Sequence, residues 1–214
     1  MILKEPLNGL LHLLGAVLAI PAVILLIVKS LYSGDSQVWK IVAFSIFGFT
    51  LFALYLCSTL YHWLPGKTGG KYQILRKLDH LAIYALIAGT YTPFCLITLN
   101  GAWGWTLFGL VWGLAAVFIT LQAVFIDLPR WLTTTVYVLM GWLIVIAMRP
   151  LLNNLDPAAL PWLVGGGVVY SAGGVIYTLK KPNLSRQFGY HELWHIMVLA
   201  GSALHFFALL LYVA

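Results

Sequence analysis

The sequence predicts an all-α integral membrane protein: a bundle of seven transmembrane helices, N-terminus cytoplasmic and C-terminus outside. Three observations carry this. Of 214 residues, 62% are hydrophobic and only 8% charged, against about 25% charged in a soluble domain, so the chain lacks the charges to cover a surface facing water. The apolar residues gather in seven runs of roughly the 20 residues that a helix needs to cross the hydrocarbon core. The basic residues are shared unequally between alternate connections, as membrane topology requires.

The runs follow in order. The first, Leu10–Leu31, comes after Lys4 and Glu5 and contains only Lys29, whose stem can snorkel to the interface. It has full membrane length and is expected to stay as a helix, not to be removed as a signal peptide. Ser33-Gly34-Asp35 separates it from Ile41–Leu64, which ends at Pro65-Gly66-Lys67. Leu81–Leu99 ends at Asn100-Gly101; Trp103–Ile126 ends at Asp127-Leu128-Pro129-Arg130. Trp131–Met148 is followed by the polar stretch from Asn154 to Pro157. Leu160–Leu179 carries Gly165-Gly166-Gly167 and Gly173-Gly174, small residues that let helices approach. A polar segment from Lys180 to Phe188 precedes the last run, Ile196–Ala214. Pro21 and Pro93 are expected to kink their helices. Trp39, Trp63, Trp103, Trp131 and Trp162 stand at run ends, where aromatic belts form. Runs this long and this continuously apolar are unlike the alternating strands of a membrane barrel. Residues 1–214 are expected to form one membrane domain with no soluble part.

The formal net charge is +6, but the basic residues sit in short connections, with no basic face to lay on a nucleic acid. Lys4, Lys67, Lys71, Arg76, Lys77, Arg130, Lys180, Lys181 and Arg186 fall on one predicted side, and Lys29, Lys40 and Arg149 on the other. This imbalance places the N-terminus in the cytoplasm. Cys57 and Cys95 lie inside apolar runs and read as small buried hydrophobes, and two cysteines exclude a cysteine-rich zinc site.

Ionisable residues in a membrane helix are expensive and mark function. His62 ends the second run, Asp79 and His80 open the third, and His191, Glu192 and His195 open the seventh. Glu5, Asn8 and His12 lie at the start of the first, so five of six histidines share one membrane face. His191 and His195 are four apart, on one helix face and about 6 Å apart along the axis. With His62 they would supply three imidazoles and leave a fourth position open, the pattern of a catalytic zinc site, although copper or nickel also suits imidazole. Asp79, from a separate helix, is the better candidate for a general base. Ser58 has helical spacing to His62 and is either a site residue or bonded back to its own helix. Asp79 could instead pair with Lys77 or Arg76. His191-Glu192-Leu193-Trp194-His195 also fits H-E-x-x-H, which would make Glu192 the base. His12, His80 and His205 read individually as packing residues; His205 lies about 15 Å deeper than His195 on a similar face and could line a cavity.

Glu5-Pro6-Leu7-Asn8 with His12, Ser58-Thr59-Leu60-Tyr61-His62, Asp79-His80, and His191 to His195 occur in an order that resembles the hemolysin III family, the bacterial branch of the progestin and adipoQ receptor superfamily. The resemblance spans nearly the whole chain. It implies a bacterial inner-membrane protein of seven helices with zinc near the cytoplasmic face, held by His62, His191 and His195. It also implies that Asp79 holds the zinc-bound water and that Ser58 is the motif serine. The superfamily shares this core with alkaline ceramidases, so the resemblance implies a zinc-dependent hydrolase of a membrane lipid amide or ester. The long soluble N-terminal region of the eukaryotic receptors is absent from the sequence, so hormone binding is not expected. The alternatives are a membrane regulator or receptor with structural or sensory zinc, or a pore or transporter linked to cytolysis.

Overall fold

The structure, a computed structural model, describes residues 5–32, 37–64, 70–124, 128–185 and 188–214. The predicted turn residues Ser33, Gly34, Asp35, Pro65, Gly66, Lys67 and Asp127, and the basic residues Lys4 and Arg186, lie outside them. The described residues are all helix and connection, with no strand. The helices are α1 (Pro6–Leu31), α2 (Gln37–Trp63), α3 (Gly70–Pro93), α4 (Gly101–Val124), α5 (Arg130–Gly141), α6 (Met148–Asn154), α7 (Leu160–Leu179) and α8 (Tyr190–Tyr212). Because α5 and α6 are two parts of one crossing, they make seven spans long and apolar enough to cross a membrane.

Each span sorts its residues by face. On α1, Leu10, Leu14, Val17 and Leu18 are each about half exposed, whereas Asn8, His12, Gly15, Ala16 and Ala19 are buried. Large apolar side chains thus face outward and small or polar ones inward, as expected when the solvent is lipid and helices associate by close packing. The spans neighbour one another in the order α1, α2, α3, α5, α7, α8 and back to α1, with α4 outside against α3. α7 and α8 approach closely because Gly173 has no Cβ: one there would stand 2.9 Å from Cβ of Met197 and 3.1 Å from the Trp194 ring. α1 and α8 run parallel. Their starts meet through His12 and His195, and near their far ends Lys29 donates to the carbonyl of Leu210.

Two spans depart from the single regular helices expected. Pro93 ends the α-helical part of its span, and Phe94–Leu99 continue as a wider π turn closed by Asn100 N–H donating to Cys95 O at 3.1 Å. Proline has no N–H to give the preceding turn, so one rung of the ladder is missing at Pro93, whereas α1 continues as one α-helix through Pro21. The fifth run was expected as one helix to Met148. It breaks instead after Gly141, passes through a tight 3-10 stretch (Leu143–Ala147), and resumes as α6. Tyr91 of α3 fills the break. Its hydroxyl is shared between Gly141 O at 2.7 Å and Met140 O at 3.0 Å, and accepts from Ile144 N–H at 2.9 Å. Backbone groups released inside a membrane need such a partner. Tyr91→Phe should lower stability by about 1–3 kcal/mol, read as a fall in the thermal midpoint of the protein in detergent. An unchanged midpoint would mean that other contacts hold the break.

Candidate metal centre

The last turn of α2 and the first two turns of α8 bring His62, His191 and His195 together. Their ring centroids form a nearly equal-sided triangle: 5.0 Å from His62 to His191, 4.8 Å from His62 to His195 and 4.9 Å from His191 to His195. Each offers a ring nitrogen, and these nitrogens all lie within 4.8 Å of one another. The helical periods explain the arrangement. On α8 the buried stripe runs His195, Val198, Ser202, His205 and Leu209, with His191 one turn before it. On α2 it runs Leu51, Tyr55, Ser58 and His62.

A carboxylate orients the cluster. Glu5, the residue before α1, accepts from Nδ1 of His62 at 2.6 Å, and its backbone N–H donates to His62 O at 3.1 Å. A carboxylate only accepts, so Nδ1 carries the proton and Nε2 of His62 presents its lone pair. Asn8 Nδ2 donates to the same carboxylate at 3.3 Å and lies 3.5 Å from Nδ1 of His191. A carboxylate behind an imidazole is the usual support of a metal ligand.

The donor set fits a metal ion on a second ground. Nε2 of His62 and both ring nitrogens of His195 are buried without a hydrogen-bond partner; these residues are 0% and 2% exposed. Buried unpaired polar atoms cost about 1–3 kcal/mol each, so several converging at one place call for a shared partner. A cation among imidazole lone pairs supplies it. Three imidazoles suit zinc with a fourth position open.

His12, read from sequence as a packing residue, belongs to this cluster. Its ring lies 3.9 Å from that of His195 and 5.0 Å from Tyr55, and neither of its nitrogens has a partner. Ser58 makes no bond back to its own helix; its hydroxyl is buried and unpartnered. Asp79 does not pair with Lys77, which instead donates to Ala123 O at the end of α4 at 2.7 Å. Its carboxylate oxygen Oδ2 lies 3.5 Å from Nδ1 of His80, a nitrogen that also donates to Arg76 O at 2.9 Å. Glu192 turns to the start of its own helix, where Oε2 accepts from Gly189 N–H at 2.8 Å. Arg130 lies 4.4 Å over the Tyr177 ring, which is itself 6.0 Å from His191.

His12, Ser58, Asp79, His191 and His195 line one end of a cavity of about 470 Å³ that extends between α3, α5, α7 and α8 as far as Trp142 and His205. Pockets of this size accept small molecules. Its walls carry apolar side chains such as Leu54, Ile83, Ile87 and Val198.

The Haemolysin-III related family matches residues 1–206. The chain belongs to that family. It is 41% identical over 210 residues to Hemolysin-3 of Bacillus cereus, covering 98% of this chain and 92% of that protein. It is 43% identical over 209 residues to the Hemolysin-3 homolog of Bacillus subtilis (strain 168), covering 98% and 94%. At greater distance it is 26% identical over 200 residues to the human Monocyte to macrophage differentiation factor, covering 91% and 79%. This haemolysin-III-related chain is therefore a multi-pass membrane protein with a buried three-histidine cluster able to hold a metal ion.

The pairing of Glu5 with His62 was not foreseen from the sequence. The one signal available was the crowding of Glu5, Asn8 and His12 within two turns. Glu5→Gln should weaken metal binding about 10–100-fold, measured by titrating zinc into protein stripped with a chelator. Glu192→Gln, which can still cap its helix, should leave that affinity within a few fold. Equal losses in the two variants would remove Glu5 from the centre.

Proposed function

We propose that this protein holds zinc through His62, His191 and His195 and hydrolyses an ester or amide bond of a membrane lipid lying in the cavity. The reading rests on one juxtaposition: a histidine cluster able to hold a metal ion, a carboxylate and a buried hydroxyl stand together at a cavity of about 470 Å³. Zinc, when bound, supplies Lewis-acid character and activates water. Asp79 takes the proton from the attacking water at a carboxylate oxygen and passes it to the departing alcohol or amine. Ser58 donates its hydroxyl hydrogen to the acyl oxygen as charge builds there. Glu5 keeps His62 in the tautomer that leaves Nε2 free to ligate. The apolar walls hold the acyl chain and exclude water from it.

The proposal extends to setting. The cluster lies at the cytoplasmic end of the bundle, the N-terminus is cytoplasmic, and the membrane is the bacterial inner membrane. The excess of basic residues on that side and the two Bacillus relatives support this. The human relative supports a wider kinship with the progestin and adipoQ receptor superfamily.

A second reading is favoured by the relatives' names, which speak of lysis and of differentiation rather than hydrolysis. In it the same metal and lipid serve a membrane regulator, or the bundle forms a lytic pore. One comparison separates the readings. Wild-type and Asp79→Asn protein, matched for zinc content, are incubated with labelled membrane lipid extract. The hydrolase predicts a released fatty acid whose rate falls at least about 100-fold in the variant. No release by wild type above the variant refutes it. Ion leakage from liposomes by both proteins alike would favour the pore.

A further inference from the structure

The far end of the cavity is not uniformly apolar. His205 stands there, ten residues and about 15 Å along α8 from His195. It is 8% exposed and lies 5.4 Å from the Tyr170 ring in a stacked arrangement. Its Nδ1 donates to Gly201 O at 2.8 Å, because a carbonyl only accepts. The proton of the neutral ring is therefore on Nδ1, and Nε2 is an acceptor. The ring fits against α7 only because residue 166 is glycine: a Cβ there would lie 2.3 Å from Cε1 and 2.4 Å from Nδ1. That contact sets the Cε1–Nδ1 edge against α7; the ring lines the cavity, and Nε2, next to Cε1, makes no hydrogen bond with the described residues.

The donors sharing this end of the cavity are engaged. Trp142 Nε1–H donates to Ser171 Oγ at 2.9 Å, and Ser171 donates to Gly167 O at 2.7 Å. The Thr90 hydroxyl donates to Leu86 O at 2.8 Å, and Tyr91 is held by the break in the fifth span. Beyond His205 lies a second, smaller cavity of about 50 Å³. It shares Thr90, Trp142 and His205 with the first and continues between apolar side chains that include Phe94, Ile144 and Leu163. His205 thus stands, with Nε2 as an acceptor free of hydrogen bonds from the described residues, where a large cavity of mixed polar and apolar lining meets a small, mainly apolar one.

We propose that the cavity selects a lipid whose chain carries a hydroxyl part-way along, and that His205 accepts the hydrogen bond from it. This deepens the lipid reading above and rests on it. The metal end takes the polar head, the chain runs between α3, α5, α7 and α8, its hydroxyl meets Nε2, and the apolar remainder enters the smaller space. A plain chain at the same place leaves the acceptor buried and unpaired, which is what gives a site discrimination against the analogue lacking the hydroxyl.

The test uses the full chain, purified in nanodiscs, with stearate and 12-hydroxystearate competing against a fluorescent fatty acid. The expected result is about three- to tenfold tighter binding of the hydroxylated chain. His205→Phe keeps a ring against Tyr170 but has no acceptor, and there the two affinities should become equal, with stearate bound at least as tightly as by the wild type. Equal affinities in the wild type, or a preference that survives His205→Phe, overturn the proposal while leaving the lipid cavity standing. Failure of both fatty acids to compete would overturn the lipid reading itself. The wild-type ratio decides the matter even if the variant does not fold.

Discussion

Imidazole nitrogens buried in a membrane protein must be satisfied from within, since lipid offers them nothing. Four imidazole rings stand together where the starts of α1 and α8 meet the end of α2, and several of their nitrogens have no partner in the protein. Much of the local structure answers to that constraint. Glu5 reaches across from the start of α1 to hold His62 by its ring, and the backbones of the same two residues are joined. Trp63 Nε1–H donates to Pro6 O at 3.1 Å beside them. The beginning of α1 is thereby tied to the end of α2, and the ring of spans closes at the place where the histidines gather. The residue that orients a ligand also fixes a helix start, so site geometry and helix register cannot vary independently here.

The cavity follows from the same inside-out logic. Small or polar residues inside and large apolar ones outside leave the middle of the ring incompletely filled. Tyr55 and Tyr170, from α2 and α7, reach in to hold Ser202 of α8 at 2.8 and 2.7 Å. Where the fifth span passes the cavity it is not a continuous helix, and Tyr91 answers its loose backbone groups. Irregular backbone at membrane depth is tolerated where protein buries it or where it borders a cavity, and both conditions hold at Gly141 and Trp142. The cavity therefore gains its far boundary from a helix break rather than from bulk side chains alone.

The sequence was most informative where one-dimensional periodicity carried the signal. Seven runs of membrane length were visible because hydrophobicity is local. The meeting of His62 with His191 and His195 was suggested by their shared membrane depth and by the four-residue spacing on one helix. Contacts set by residues outside any regular period were not visible. Glu5 precedes α1 and has no helical phase to reveal that it faces His62. His12 looked isolated because the ring that it touches, His195, is 183 residues away. The apolar count starts the third and seventh runs at Leu81 and Ile196 because the turns before them carry charges and histidines; the spacing of His191 and His195 already put the first turns of α8 on a helix, whereas the extension of α3 back to Gly70 was not visible. Nothing in Trp131–Met148 announced its break, since Gly141 is tolerated in membrane helices and Tyr91, which fills the break, lies on another span.

The roles of Ser58 and Asp79 turn on a distinction of kind. A structural metal site is closed by its ligands and their supports; a catalytic one keeps a face open to a space where substrate can lie. His191 and His195 border the large cavity, and so do Ser58 and Asp79, whereas His62 is held from behind by Glu5 and does not. The cluster is therefore supported on one side and faces a cavity on the other. A purely structural site would have no need of that second side, nor of a buried hydroxyl without a partner beside it. A sensing site would need the cavity but not the hydroxyl and the carboxylate together. Ser58 and Asp79 both stand on the open face, which is the arrangement that the proposed lipid hydrolysis would use.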